Sequence, residues 1–285
     1  MDTVVRSRSR TVVIGPEQPF CVIGERINPT GRKTFQAQLQ AGDLSRIETD
    51  VAQQVEGGAD MLDVNVGDPL ADEVGLMMQA IPMVQALTDI PLCIDSSVIE
   101  ALEAGLEAYE GKALVNSVTG EDERLKAILP IVAKYGAAVI GLANAEDIPM
   151  EAERRVAVAK KIVSVAGDYG IPPEDVIIDP LAMPIGAEPR AVTLFIETLH
   201  LLRDELGVNT TCGAGNTSFG LPGRHTLGAA FLAVAQSHGL TSAIMDSRRP
   251  EMVEAVRATD FLLGRDEWGA TWIRLYRERQ AAGAT

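Results

Sequence analysis

The stretch Met61-Leu-Asp-Val-Asn-Val66 has the form that decides the fold: a short apolar run that ends in polar side chains, with a segment of helix length after it. This form recurs along the chain, and most of the runs end in a polar residue or a glycine. The eight runs are 20–26, 61–66, 91–96, 113–118, 137–143, 176–181, 209–215 and 242–247. Eight strand–helix units in about 250 residues are typical of a TIM barrel, so we predict an α/β fold of this type.

The regular spacing of the repeats supports this prediction more than any single run does, because each run is short and mixes apolar with other residues. An open doubly wound sheet is the alternative architecture, and it fits the even repeats and the long loop 27–42 less well. No Pro/Ser-rich linker divides the chain. We expect one domain over residues 1–285, with a lead-in at 1–19 and an added helix at 266–285. Within the lead-in, residues 11–14 are expected to pair with 22–24 and close the barrel floor.

Caps, prolines and glycines predict several helix limits. The first helix is expected to begin near Asp43, which is a good N-cap residue. A later helix has apolar residues three and four apart from Val192 to Leu206, and Gly207 is expected to end it. Pro250 fits the first turn of the last barrel helix.

The composition excludes several classes of function. The formal net charge of −15 opposes general attraction to nucleic acid or to anionic membranes. No apolar run reaches the roughly 20 residues that span a bilayer. The first residues do not have the pattern of a secretory signal. We therefore expect a cytoplasmic protein that binds neither nucleic acid nor membrane.

Metal-ligating residues are not grouped in the sequence. The three cysteines lie inside predicted strands and none belongs to a C-x-x-C pair, so buried thiols are expected. None of His200, His225 and His238 is spaced with another histidine as a metal pair. We expect no bound metal.

A TIM barrel gathers the C-terminal ends of its strands at one mouth, and here those ends carry carboxylates and amides. The residues are Glu25, Asn28, Asp63, Asn65, Asp95, Asn116, Asp179, Asn216 and Asp246. Such a mouth suits a neutral heterocycle rich in hydrogen-bonding groups better than it suits a metal or a phosphate.

Several of these residues also have a local structural explanation. Asp95 has the position of a helix cap, Asp179 that of a turn residue, and Asn116 that of a local turn former. Asp63 and Asn65, however, are two apart in one strand and therefore face the same side. Buried polar side chains cost stability unless they are hydrogen-bonded, so several of them at neighbouring strand ends favour a ligand site.

A glycine-rich run, Cys212-Gly-Ala-Gly-Asn-Thr-Ser-Phe-Gly220, follows the seventh predicted strand. Its third glycine is displaced from the dinucleotide fingerprint, and the chain has no G-x-x-x-x-G-K-[ST] loop. Gly213 and Gly215 are instead expected to let the backbone approach a flat ligand closely.

Six motifs stand near the ends of the predicted strands. In chain order they are IGERINPT (23–30), DVNVG (63–67), CIDSS (93–97), VNS (115–117), IDPL (178–181) and GNxS (215–218). The set resembles the pterin-binding methyltransferases. These include the methyltetrahydrofolate:corrinoid/iron–sulfur protein methyltransferase and the folate domain of cobalamin-dependent methionine synthase. The resemblance extends from about residue 20 to residue 265.

The resemblance implies roles for particular residues. The family residues that match Asp95, Asn116 and Asp179 hold the polar edge of the pterin, whose donors and acceptors are complementary to carboxylates and amides. The family asparagine that matches Asn216 hydrogen-bonds near N5, so Asn216 is the expected catalytic residue. Arg224 lies where the family often has an arginine.

The resemblance also implies a reaction, the transfer of a methyl group between N5 of tetrahydrofolate and the cobalt of a corrinoid. Either 5-methyltetrahydrofolate or tetrahydrofolate is then the substrate, because the sequence does not define the direction. A D-x-H-x-x-G corrinoid motif is missing, so we expect cobalamin to come on a separate corrinoid-binding protein. A homodimer is expected from the family. One branch of the family has a serine just before the catalytic asparagine, and this chain has Gly215 at that position. The alternatives are a dihydropteroate synthase-like enzyme and a non-catalytic folate-binding barrel.

Overall fold

In the computed structural model, which describes residues 1–281, an antiparallel hairpin is formed by strands β1 (Thr3–Arg6) and β2 (Thr11–Ile14). The prediction that residues 11–14 pair with 22–24 is therefore wrong, because the short connection at 7–10 offers a nearer partner. Val5 and Ile14 are fully buried in the apolar cluster of the barrel interior. The hairpin thus closes the barrel floor with a different pairing from the one expected.

Seven of the eight predicted runs are strands of one parallel sheet within the described residues. They are β3 (Cys21–Ile27), β4 (Met61–Val64), β5 (Leu92–Asp95), β6 (Leu114–Val118), β7 (Ala138–Leu142), β8 (Val176–Asp179) and β9 (Ser242–Met245). The strand order is β8-β7-β6-β5-β4-β3-β9, in which β3 and β9 pair although they lie at opposite ends of the chain. A parallel sheet in this order curls into the predicted TIM barrel.

Residues 209–213 occupy the eighth position, between β8 and β9, without forming a regular strand. Isolated bridges join Ile178 to Thr210 and Gly213 to Ile244. Beyond Gly213 a 3-10 turn over Ala214–Asn216 ends the pairing, so the prediction of a strand over 209–215 is wrong at its C-terminal end. The turn leaves Asn216 in a loop above the end of the barrel wall.

Helices follow the barrel strands and cover the outside of the sheet. They are α1 (Lys33–Gln40), α2 (Ser45–Glu56), α3 (Glu73–Leu87), α4 (Ile99–Ala108), α5 (Asp122–Tyr135), α6 (Ala152–Asp168), α7 (Ala191–Glu205), α8 (Arg224–Ser237), α9 (Pro250–Leu262) and α10 (Ala270–Ala281). α7 ends before Gly207, which has a φ of +64°, and Pro250 is the first residue of α9, as predicted.

One helix was not expected. α1 lies inside the segment 27–42 that the sequence predicts to be a loop, and it forms because Phe35 and Leu39, four residues apart, are both buried. The helix predicted to begin near Asp43 is therefore the second one. The Asp43 carboxylate accepts a hydrogen bond of 2.9 Å from the backbone N–H of Ser45 at its start.

Side chains alternate along the strands between the barrel interior and the surrounding helices. The interior is filled by a buried cluster of Val5, Ile14, Cys21, Ile23, Met61, Cys93, Leu114, Ala138, Ile140 and Ile177. Cys212, like the two cysteines of this cluster, is a buried free thiol, as predicted. The next inward position on each strand lies two residues later, at the mouth.

The C-terminal part of the described chain packs loosely on the barrel. α10 follows α9 and has no buried residue, and residues 282–285 of the predicted segment 266–285 lie outside the described residues. Within residues 1–281, no helix combines the length and the apolar character needed to cross a membrane.

Candidate active site

In six strands, the last inward-facing residue is polar, whereas the inward-facing residue two positions earlier is apolar. The apolar and polar positions are paired as Ile23 and Glu25, Met61 and Asp63, Cys93 and Asp95, Leu114 and Asn116, Ile177 and Asp179, and Ile244 and Asp246. Because inward positions are two residues apart, each polar side chain lies one layer above the buried apolar core. The barrel therefore has an apolar floor and a polar mouth.

Four of the predicted residues form one hydrogen-bonded cluster across β4, β5 and β6. The Asn65 amide donates to the Asp95 carboxylate over 2.9 Å, and the Asn116 amide donates to Asp63 over 3.1 Å. Asp95 is therefore not a helix cap; the Ser96 hydroxyl instead accepts from the backbone N–H of Val98 near the start of α4.

This cluster holds carboxyl groups that are out of water. Burial, and then the charge of Asp95, raise the pKa of Asp63 well above its usual range. Burial raises the pKa of Asp95 to about 6, against the opposing effect of the Asn65 hydrogen bond. Two close carboxyls of this kind titrate together, and hydrogen-bond donors from a ligand would stabilise their charged forms.

Asp179, at the end of β8, is held by the backbone that follows it. Its carboxylate accepts a hydrogen bond of 2.7 Å from the N–H of Leu181, so it also forms the turn that its sequence position suggests. Burial raises its pKa to about 7, although that hydrogen bond and the charge of Arg155 lower it. Leu181 has a φ of +69°, which is unusual for a residue with a side chain.

The guanidinium of Arg155 fixes this turn. Arg155 is fully buried in α6 and donates hydrogen bonds to the carbonyl oxygens of Pro149, Pro180 and Leu181. Sequence reasoning missed it, yet a signal was present, since Arg155 lies on the apolar face of α6 with Ala152, Val156 and Ala159. A charged residue at such a position marks a buried polar network.

The glycine-rich loop brings Asn216 to the mouth. The backbone N–H of Asn216 donates to the carbonyl oxygen of Gly213 over 3.1 Å, and the side chain of Asn216 is exposed. A Cβ atom on Gly213 would lie 2.9 Å from Nδ2 of Asn216, so the glycine makes room for this amide. Arg224 donates to the carbonyl oxygen of Gly215 over 3.1 Å and so contacts this loop.

Glu25 and Asp246 lie on the same side of the mouth as this loop. Together with Gly215, Ser218 and Arg224 they line a cavity of about 250 Å³. Arg248, which the sequence analysis did not single out, also lines it and binds both carboxylate oxygens of Asp246 over 2.8 Å. Asp246 is therefore already paired with a cation.

Asn28 is the predicted residue that takes no part in these contacts. Its side-chain oxygen accepts a hydrogen bond of 2.9 Å from the N–H of Thr30, within its own loop. The histidines differ from expectation in one respect: Nε2 of His200 and Nδ1 of His238 lie 2.8 Å apart on the outer helices. In the described residues, no group of three or more His, Cys, Asp or Glu side chains is placed to hold a metal ion.

Comparison with known proteins identifies the family of the chain. Residues 24–246 match the family described as pterin binding enzyme, and this span runs from Gly24, in the middle of β3, to Asp246. The chain belongs to the pterin-binding enzyme family. The polar residues predicted at the mouth of this pterin-binding enzyme, from Glu25 to Asp246, lie within the family match.

Curated relatives of this pterin-binding enzyme include a methyltransferase and a methionine synthase. The methylcorrinoid:tetrahydrofolate methyltransferase of Eubacterium limosum is 29% identical over 265 residues, which cover 90% of this chain and 96% of that protein. The methionine synthase of Mycobacterium tuberculosis is 31% identical over 259 residues, which cover 86% of this chain but 22% of the longer synthase.

Solved structures similar to this pterin-binding enzyme have the same fold. A Yersinia pestis dihydropteroate synthase with a pterine–sulfa conjugate has a TM-score of 0.71 at 15% identity, and 92% of this chain and 99% of that chain are covered. A Xanthomonas albilineans dihydropteroate synthase with 4-aminobenzoic acid has a TM-score of 0.70 at 19% identity, with the same coverage. At these identities the likeness shows the TIM barrel alone.

Proposed function

We propose that this enzyme transfers a methyl group between N5 of tetrahydrofolate and the cobalt of a corrinoid that a separate corrinoid-binding protein carries. The observation that carries the proposal is the arrangement of the mouth, where a polar cluster on β4–β6 and the amide of Asn216 share one opening. The similarity to the Eubacterium limosum methyltransferase over nearly the full length of both chains supports it.

The polar cluster and Asp179 match the chemistry of a reduced pterin. The pyrimidine edge of a pterin presents a row of N–H donors beside a carbonyl acceptor. Asp95 and Asp179 supply acceptors, and the Asn116 amide supplies both a donor and an acceptor. Burial raises the pKa of both carboxyls, so hydrogen bonds from a bound pterin replace the water that they have lost.

Asn216 acts at the other part of the pterin. When a methyl group leaves N5, negative charge develops on that nitrogen, which is otherwise a poor leaving group. A donor that strengthens its hydrogen bond as this charge grows stabilises the transition state more than the ground state. The Asn216 amide, which the 3-10 turn presents at the mouth, is such a donor.

The rim of the barrel offers a surface for the corrinoid protein. The loops around the mouth expose Leu70, Ile148 and Phe219, of which Leu70 is 79% exposed. Exposed apolar side chains near one opening are typical of a protein contact. In this proposal the partner covers the mouth and brings the corrinoid cobalt, which supplies the methyl-accepting or methyl-donating centre.

The test is a binding and transfer assay with the full chain. Calorimetry measures 5-methyltetrahydrofolate binding, and Co(I) cobalamin is then added without oxygen while the visible spectrum of methylcobalamin is followed. The reverse mixture, methylcobalamin with tetrahydrofolate, compares the two directions. Binding with transfer is the expected result. Absence of binding would overturn the proposal, and binding without transfer in either direction would instead support a non-catalytic folate-binding barrel.

A further inference from the structure

Glu25 is a carboxyl group at the mouth of the barrel, beside the loop that holds Asn216. It occupies the inward position at the end of β3, two residues after the buried Ile23, and lines the same cavity as Gly215, the neighbour of Asn216. β3 pairs with β9, and β9 is bridged to Gly213, so the strand that holds Glu25 is two positions from the segment that ends in Asn216. Glu25 and Asn216 therefore lie on the same side of the mouth.

Two of the three cations that act on Glu25 are engaged elsewhere. Arg248 binds both oxygens of Asp246 over 2.8 Å, and Arg224 donates to the carbonyl oxygen of Gly215 over 3.1 Å. Glu25 thus lies near a second carboxylate, Asp246, that already holds the guanidinium of Arg248.

The pKa values of the two carboxyls are shifted in opposite directions. Burial, and then the charge of Asp246, raise the pKa of Glu25 to about 7, although Arg26, Arg224 and Arg248 lower it. Burial also acts on Asp246, but the hydrogen bonds and charge of Arg248 hold the pKa of Asp246 below its usual range. Two neighbouring carboxyls whose environments separate their pKa values have different acid–base roles.

The remaining carboxyls of the mouth have other partners. Asp63 and Asp95 accept hydrogen bonds from Asn116 and Asn65 on β4–β6, and Asp179 accepts one from its own turn. β3 pairs with β4 on one side and with β9 on the other, and β9 is bridged to Gly213, so Glu25 lies between the cluster and the Asn216 loop.

We propose that Glu25 is the acid–base residue of the methyl transfer, giving a proton to N5 when the methyl group leaves and taking it from N5–H when a methyl group arrives. This inference rests on the proposed function. In the first direction the acceptor supplies the electron pair of the new methyl bond, and the pair of the broken N5–C bond stays on N5. That pair binds the proton of Glu25, whose carboxylate is reprotonated from water; the second direction is the reverse.

The test compares Glu25→Gln with Glu107→Gln, which changes an exposed glutamate of α4. Single-turnover methyl transfer to and from cobalamin is measured between about pH 5.5 and pH 8.5, together with the Kd for 5-methyltetrahydrofolate. In the wild type, methyl removal should slow above pH 7 and methyl addition should slow below it, because the two directions need the acid and the base forms.

In Glu25→Gln we expect both transfer rates to fall by about 10²–10⁴-fold. The change of each rate with pH near pH 7 should disappear, and the Kd should change by less than about threefold. Glu107→Gln should behave as the wild type. If the transfer rates of Glu25→Gln kept the pH dependence of the wild type, the inference would be overturned and the proposed function would remain in place. A loss of affinity as large as the loss of rate would have the same meaning. Absence of transfer in the wild type itself would overturn both.

Discussion

The guanidinium of Arg155 donates a hydrogen bond of 3.0 Å to the carbonyl oxygen of Leu181, a residue that holds a φ of +69°. The N–H of the same Leu181 donates to the carboxylate of Asp179. A fully buried cation on the outer face of the barrel thus fixes the backbone that orients a carboxyl group inside the mouth. A non-glycine residue with positive φ costs energy, and the surrounding contacts must maintain it.

Replacement of Arg155 should therefore affect both stability and ligand binding. Arg155→Met removes the donors to three carbonyl oxygens, and we expect the free energy of unfolding to fall by about 3 kcal/mol. Affinity for 5-methyltetrahydrofolate should fall by about tenfold or more, because the turn that holds Asp179 is released. Urea unfolding and calorimetry measure the two effects.

Arg154→Met is the matched control for this change. Arg154 lies next to Arg155, but its partners Asp147 and Glu151 are exposed with it. Exposed ion pairs contribute about 0–1 kcal/mol, so this variant should unfold and bind almost as the wild type does. Equal effects from the two variants would show that Arg155 is not a specific clamp.

Asn216→Ala should separate catalysis from binding. The amide is proposed to act on charge that develops only during transfer, so single-turnover transfer should fall by about 10²–10³-fold. The Kd for 5-methyltetrahydrofolate should change much less. Gln79→Ala, which removes an exposed amide of α3, is the control. A transfer rate within about twofold of the wild type in Asn216→Ala would contradict the proposed role.

Gly213→Ala tests the space that Asn216 occupies. The added Cβ atom would lie 2.9 Å from Nδ2 of Asn216, so the amide must move. A misplaced catalytic group of this kind slows transfer, and we expect a loss of at least about tenfold with little change in stability. In Gly167→Ala, within α6, a Cβ atom meets nothing within 4 Å, and a gain of up to about 1 kcal/mol in stability is expected. An unchanged transfer rate in Gly213→Ala would show that the Asn216 amide does not need the space that Gly213 leaves.

Asp179→Asn should stabilise the protein at high pH while it weakens folate binding. The folded-state pKa of Asp179 is raised to about 7, above an unfolded value of about 3.9, so the folded chain binds more protons between these values. Stability is therefore lost as the pH rises from about 4 to 7. The Asn variant avoids this loss and can still accept from Leu181, so its stability should exceed that of the wild type by up to about 4 kcal/mol at pH 8.

The expected difference shrinks toward pH 4, and thermal unfolding across this range measures it. Asp168→Asn, at an exposed position at the end of α6, should show no such trend. A stability gain in Asp179→Asn that does not depend on pH would contradict the assigned protonation.

The position of polar side chains at the strand ends could be predicted from the sequence because its signal is local. A strand alternates its side chains, so Asp63 after Met61, or Asp95 after Cys93, is sufficient to place a carboxyl above the core. Asn116 and Asp179 were expected at the mouth because each lies near the end of a predicted strand. Hydrogen bonds between strands, such as that from Asn65 to Asp95, then follow from their neighbouring positions in the sheet.

The features that the sequence did not predict depend on contacts between distant segments or on weak local signals. The partner of residues 11–14 depends on whether β1 or β3 is nearer in space. α1 depends on burial of Phe35 and Leu39, which the flanking glycines obscure. Arg155 acts through carbonyl oxygens as far away as Leu181, and carbonyl oxygens carry no sequence signature.

Asn209 shows how the floor of the barrel and the segment that leads to Asn216 come to depend on each other. Its side-chain amide donates to Thr3 Oγ1 over 2.9 Å and to the carbonyl oxygen of Ile14 over 2.8 Å. The residues that meet here are 206 and 195 positions apart in the chain. Contacts of such long range require a large loop closure, which makes them slow to form. During synthesis, the N-terminal hairpin must wait for most of the polypeptide to emerge before this anchor is complete.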